Sequence, residues 1–249
     1  MQVAELWQFP IKGLGGTTIA EASLTAGGYF PGDRLYAIGN GHSKWDDTPA
    51  GTWMKKSFFL QIMKFEQLAA LQCGFANSQL SISRNGTTEL IADMDSADGR
   101  DAIDSYFAQL MGDLVPGAPR LMKIDSGAYT DTNKPWISFG GTASLEAFAK
   151  ATDTVADARR FRLNMIMETS EPFIEASLIG KDVAIGDMHC QVVEPVGRCA
   201  AIDVDPETAE RGPSYLRHMQ SAFGHTDLGV FAQVTKGGTI RPGDTLRIL

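Results

Sequence analysis

Short alternating strands, each cut off by a glycine- or proline-bearing turn, most constrain what this chain can fold into. The clearest unit is "SQLSISRNGTTELIAD". Leu80 and Ile82 alternate with polar neighbours, Asn85-Gly86 is the favoured two-residue type I′ hairpin turn, and "TTELIA" returns. The start, "VAELWQFPIKGLGG", is extended: Pro10 cannot hold a paired central position, and Gly13, Gly15 and Gly16 loosen the backbone after it. "AEASLTAGGYFPGDRLYAIGN" predicts two strands separated by Gly-Gly and Pro-Gly turns. The last third predicts strands at "RFRLNMIMET", "DVAIGDMHCQVVEPV", "AAIDVD", "GVFAQVTKGG" and "DTLRIL", with tight turns at Gly186-Asp187 and Gly237-Gly238.

Clear helical spacing is confined to three segments. In "DGRDAIDSYFAQLMG", Ile103, Tyr106, Phe107, Leu110 and Met111 share one face, and Gly112 closes the end. "ASLEAFAKATD" is a second helix. "PSYLRHMQSAFG" is a third, with Pro213 in its first turn and Gly224 as its stop. "MKKSFFLQIMKFEQLAALQCGF" mixes periods and predicts a helix followed by a strand. The class that fits is α+β, mostly β, built around a β-barrel. The Pro/Gly-punctuated connector "LVPGAPRLMKIDSGAYTDTNKPW" divides the chain into residues 1–118 and 119–249.

Composition removes several function classes. The chain is 249 residues long and 43% hydrophobic, enough for a substantial core, and no apolar run reaches membrane-spanning length. Met1 leads straight into a strand without a basic leader, so neither signal peptide nor membrane segment is expected. A net charge of −8 argues against nucleic acid as a partner. Cys73, Cys190 and Cys199 are odd in number and far apart, which fits free thiols in a reducing, cytoplasmic setting. No HExxH or Cys/His cluster marks a zinc site.

In so acidic a chain, cations beside backbone breaks stand out. Lys12 lies in "PIKG", Arg34 in "PGDR", Arg162 in "RRFRLN", and Arg198 next to Cys199. Each has an ordinary explanation. A lysine after a strand points to water, an Asp-Arg pair is a local ion pair, and a cysteine in a β-rich segment fills core. Cys73 and Cys190, in apolar strand-like runs, take that last reading.

The ordered set "FPIKGLGG … AGGYFPGDRLYAI … RFRLN … VGRCAAIDVDPET … GVFAQVTKGGTIRPGD" resembles the MOSC proteins that carry an N-terminal MOSC-associated domain, a family that includes the amidoxime-reducing components. The resemblance covers nearly the whole chain. It implies a MOSC-type β-barrel packed with a mixed β/α N-terminal domain. It also implies a molybdopterin-type molybdenum cofactor with Cys199 as catalytic metal ligand. Lys12, Gly13, Arg34, Arg162, Asn164 and Arg198 match positions lining the cofactor pocket. The chemistry agrees: a thiolate is a good soft ligand, a neighbouring cation lowers a thiol pKa, and guanidinium forks suit phosphate.

The chain departs from the family pattern in three places. Val196 replaces the first cysteine of "CxRC", Gly13 replaces the serine of "PIKS", and Leu163 replaces the proline of "RPN". The resemblance implies a reductase of N-hydroxylated small molecules. Without a four-cysteine segment after "DTLRIL", its electrons are expected from a separate protein, a flavin reductase, ferredoxin or cytochrome. Pyridoxal-phosphate binding is also attributed to the family, though these residues hold no pyridoxal-phosphate desulfurase domain. A sulfur carrier with a persulfide on Cys199, or a plain binding module, are the alternatives.

Overall fold

The structure, a computed structural model, describes residues 1–45, 47–49 and 51–249. Its centre is an eight-stranded sheet curled into a half-barrel. Across the sheet run Leu246–Ile248, Asp182–Ile185, Met188–Gly197, Asp227–Lys236, Trp136–Gly141, Met165–Glu168, Gln2–Gln8 and Thr17–Thr18. All neighbours are antiparallel except Trp136–Gly141 beside Met165–Glu168, the pair joined through a helix. The curl brings the chain ends together. Val3 N donates to Asp244 O at 2.8 Å, and Leu246 N donates to Met1 O at 2.9 Å. Inward residues of alternating strands fill the barrel, among them Val3, Leu6, Phe139, Met165, Val192 and Val230.

A second layer lies beside the barrel. Ile11–Lys12, Tyr36–Gly39 and Arg120–Lys123 form a three-stranded sheet, and Gln72–Ala76, Gln79–Arg84 and Thr87–Asp93 form a meander. The hairpin turn is as its dipeptide requires, with Asn85 and Gly86 at φ 51° and 78°. Helix α1, Ala97–Met111, packs on this layer. Ser96 caps it by accepting from Gly99 N, and Gly112 ends it at φ 47°. Ile103, Phe107 and Met111 are buried, with Tyr106 and Leu110 partly so, which makes the helix structural. Helices α2, Thr142–Thr152, and α3, Tyr215–Phe223, cover the outer face of the barrel through Leu145, Phe148, Tyr215 and Met219. Among the described residues no helix is long and apolar enough to cross a membrane.

Four local expectations are corrected. The helix foreseen after Met54 is replaced by two single 3₁₀ turns, Lys56–Phe58 and Glu66–Leu68, before the strand at Gln72. Its apolar residues point to different neighbours: Phe59 into an aromatic cluster with Trp45 and Tyr129, and Leu60, Phe65 and Leu68 into the second-layer core. "AAIDVD" forms the 3₁₀ turn Ala200–Asp203 instead of a strand, because Arg160 draws two of its carbonyls inward. The strand in "RFRLNMIMET" begins only at Met165. Pro213 lies ahead of the cap Ser214, outside the helix.

Phe107 carries α1, so Phe107→Ala should cost about 3–5 kcal/mol in urea unfolding. Ile91→Ser, at a position 62% exposed, should stay within about 0.5 kcal/mol. Equal effects would place the second-layer core elsewhere.

Candidate functional site

Where the two layers meet, a cavity of about 450 Å³ opens, a size suited to a cofactor or small substrate. Its lining includes all seven residues singled out in the sequence: Lys12, Gly13, Arg34, Arg162, Asn164, Arg198 and Cys199. Six cations and three carboxylates line it, in a chain whose net charge is −8. The cavity therefore concentrates positive charge against the background of the molecule.

Two arginines build the cationic wall from strained backbone. Arg34 and Arg162 have φ of 49° and 55°, left-handed positions that cost a non-glycine residue about 1–3 kcal/mol each. Each guanidinium lies 4.6 Å from the centre of the Phe9 ring. Arg34 Nη2 donates to Arg162 O at 2.8 Å, its Nη1 pairs with Asp33, and Arg162 Nη1 donates to Leu14 O. Asp33 is itself buried and accepts from Phe9 N at 2.8 Å. The local Asp33–Arg34 pair thus exists and also serves the cavity. Burial, and then the neighbouring Arg34, pull the Arg162 pKa down to about 9, which leaves it protonated at neutral pH.

Lys12 is 7% exposed, contrary to the usual fate of a lysine after a strand. Its Nζ donates to Tyr129 O at 2.8 Å and pairs with Asp131. Burial lowers the Lys12 pKa, and Asp131 works against that shift. Burial pushes Asp131 upward, yet Lys12, Lys56 and Arg34 together hold its carboxyl below the usual range. Gly13 has φ 82°, and a Cβ there would stand 2.3 Å from Leu60 O. The backbone passes too close for any side chain, so serine would not fit this position unaltered.

Arg198 plays a different part from the other cations. Its Nε donates to Leu228 O at 2.9 Å, Nη1 to Phe161 O at 2.8 Å, and Nη2 again to Leu228 O. Its fork is spent on backbone carbonyls, and burial lowers its pKa to about 9. It fixes the strand end that presents Cys199. Arg160, which sequence reasoning passed over, secures the next turn: it donates to Ile202 O at 2.8 Å, Val204 O at 2.9 Å and Asp205 at 3.0 Å.

The three thiols are sorted by position. Cys190 lies in the barrel core and Cys73 beneath the second layer, and burial pushes both up to about 12, so neither offers a thiolate at neutral pH. Cys199 is half-buried and lines the cavity. Among the described residues no group of three His, Cys, Asp or Glu side chains could hold a metal ion, so a metal at Cys199 would bring its other ligands with it.

Asn164 tests whether a polar group belongs here. Its Oδ1 accepts from Ser138 N at 3.1 Å and Ser138 Oγ at 3.0 Å, which sets the amide orientation. Its Nδ2 is buried beside the cavity without a partner among the described residues. Such an orphan donor costs about 1–3 kcal/mol and suits a ligand acceptor. An anionic, heteroatom-rich group that carries its own metal ligands fits this donor set. Asp33, Lys56, Asp131, Trp136, Ser138, Glu194 and Phe231 also line the cavity and were not anticipated. Only Asp33, as Arg34's neighbour, left any trace in the sequence.

Residues 134–247 match the family model described as MOSC domain, and residues 1–113 match the MOSC N-terminal beta barrel domain. The mouse mitochondrial amidoxime-reducing component 1 is 25% identical over 99% of this chain and 82% of its own length. The zebrafish molybdenum cofactor sulfurase is 35% identical over 80 residues, 32% of this chain and only 9% of that protein. Among solved structures, the YuaD protein of Bacillus subtilis is 11% identical, covers 98% of this chain and 93% of its own, and has a TM-score of 0.46. YiiM from Geobacillus stearothermophilus is 16% identical, covers 45% and 53%, and scores 0.36.

The cationic wall should bind phosphate chemistry without any metal. Inorganic pyrophosphate should raise the melting temperature of the purified protein, with a stabilisation of about 2.7 kcal/mol at a hundredfold excess over Kd. Lys12→Met should remove most of that gain. An undiminished gain in the variant would take Lys12 out of the anion site.

Proposed function

Because this chain belongs to the MOSC proteins with an N-terminal β-barrel domain, we propose that its cavity binds a molybdopterin-type molybdenum cofactor and that the protein reduces N-hydroxylated compounds. The observation that carries this reading is the juxtaposition of Cys199, the one thiol in this cavity's described lining, with a net-positive lining and the orphan donor of Asn164. Cys199 would ligate the metal. Lys12, Arg34 and Arg162 would hold the phosphate by charge-assisted hydrogen bonds. Asn164 Nδ2 would donate to a heterocycle acceptor. Arg198 is a positioning residue, since its guanidinium is committed to Leu228 and Phe161.

When bound, the cofactor supplies two-electron oxygen-atom chemistry: a hydroxylamine, two electrons and two protons become an amine and water. The electrons would come from a separate redox protein, such as a flavin reductase, ferredoxin or cytochrome. The protein's share is binding, orientation and electrostatics. The similarity to a cofactor sulfurase supports a second reading, in which Cys199 carries a persulfide. Mass spectrometry of the intact protein tests it through one added sulfur at Cys199.

Cys199→Ser separates these chemistries from a plain core role. Serine is nearly isosteric, so an unmade hydroxyl bond should cost only about 1–3 kcal/mol and the fold should persist. After expression in a cofactor-producing host, molybdenum content and reduction of N-hydroxylated substrates with a reconstituted donor should both fall at least tenfold. Full activity with molybdenum retained would remove Cys199 from the mechanism. A collapsed fold would return it to the core.

A further inference from the structure

One stretch of the barrel-side lining differs from the cations around it, because it carries a carboxylate and two aromatic rings. Of the cavity's three carboxylates, Asp33 pairs with Arg34, and Asp131 pairs with Lys12 and lies 3.8 Å from Lys56. The Glu194 side chain is exposed and has no hydrogen bond or ion pair among the described residues, although six cations line the same cavity. It lies beyond ion-pair distance of all six, so its charge faces solvent and is free to meet a bound cation. The strand register places Glu194 opposite Phe231, and Phe231 opposite Ser138 on the next strand. The Trp136 ring lies 5.6 Å from that of Phe231. It already accepts a cation, the Lys134 ammonium, at 4.1 Å from its centre.

A carboxylate beside electron-rich rings selects flat or ring-bearing cations. We infer that Glu194, Trp136 and Phe231 form a specificity site for an aromatic substrate bearing a positive charge, seated with its reducible group toward Cys199. This rests on the proposed cofactor reading only for the direction of the substrate. Glu194 precedes Cys199 by five residues, so the two lie at most about 17 Å apart along extended chain. Anionic cofactor chemistry belongs at Lys12, Arg34 and Arg162, and cationic substrate chemistry at Glu194. Neutral aromatics would fill the same stretch but leave the carboxylate unpaired.

The test uses the purified full-length chain and two probes of similar size: benzylamine, cationic at pH 7, and neutral benzyl alcohol. Binding is read by calorimetry and by tryptophan fluorescence. Wild type should bind benzylamine at least tenfold more tightly than benzyl alcohol. Glu194→Gln should erase that preference while leaving benzyl alcohol binding unchanged, and Glu194→Asp should restore part of it. Trp136→Phe should abolish the fluorescence response to both. Equal affinity of wild type for the two probes, or a Glu194→Gln preference as large as that of wild type, overturns the inference. Molybdenum content measured on the same samples keeps the two ideas apart. A wild-type protein without molybdenum that still prefers benzylamine sinks the cofactor reading and supports this one. Molybdenum present without charge preference does the reverse.

Discussion

The site depends on a knot around Phe9. Two guanidiniums, from residues more than a hundred positions apart in sequence, lie on one buried ring, and each is tied to backbone of the other half of the chain. Arg34 reaches the carbonyl of Arg162, and Arg162 reaches that of Leu14. Desolvating two like charges together is unfavourable, and so are their left-handed backbones. The carbonyls, Asp33 and the ring offset part of that cost. What remains is a cationic surface held in place before any ligand arrives. An anion binding there would relieve the mutual repulsion, which is the physical sense of preorganisation.

The rest of the cavity depends on how the knot orients the two layers. Gly13 can pass Leu60 only because it lacks a Cβ, and that passage sets Lys12 under the carbonyl of Tyr129. On the barrel side, Arg198 ties the residue before Cys199 to the carbonyls of Leu228 and Phe161, and Arg160 holds those of Ile202 and Val204 in the turn after it. The thiol is thus carried on a braced turn, while the other two cysteines lie where burial keeps them protonated.

Much of this was legible in the sequence wherever a local rule decides the outcome. Asn85-Gly86 requires a hairpin, and the α1 periodicity with Gly112 requires a helix that stops there. The seven site residues were found as exceptions to the charge balance and through an ordered resemblance. The failures occur where tertiary contacts override local preference. Residues 56–68 look helical because they are apolar, yet their side chains serve two separate cores. "AAIDVD" alternates like a strand, but a buried arginine 40 or more residues earlier pulls its carbonyls into a turn. Glu194 and Trp136 carry no local signature, since being unpaired, or facing a cavity, is a property of the assembled fold. Within "RRFR" the three arginines divide: Arg159 pairs with Asp157 and Glu207, Arg160 is buried, and Arg162 lines the cavity.

X-ray absorption at the molybdenum edge tests the central claim most directly, because it counts the atoms around the metal. The account predicts that wild-type protein, loaded in a cofactor-producing host, shows one sulfur neighbour beyond those of the cofactor. In Cys199→Ser protein, any molybdenum that remains should have lost that neighbour. An identical sulfur count in the two proteins would contradict the assignment of Cys199 as ligand, and with it the reason for placing a thiol on so firmly braced a turn.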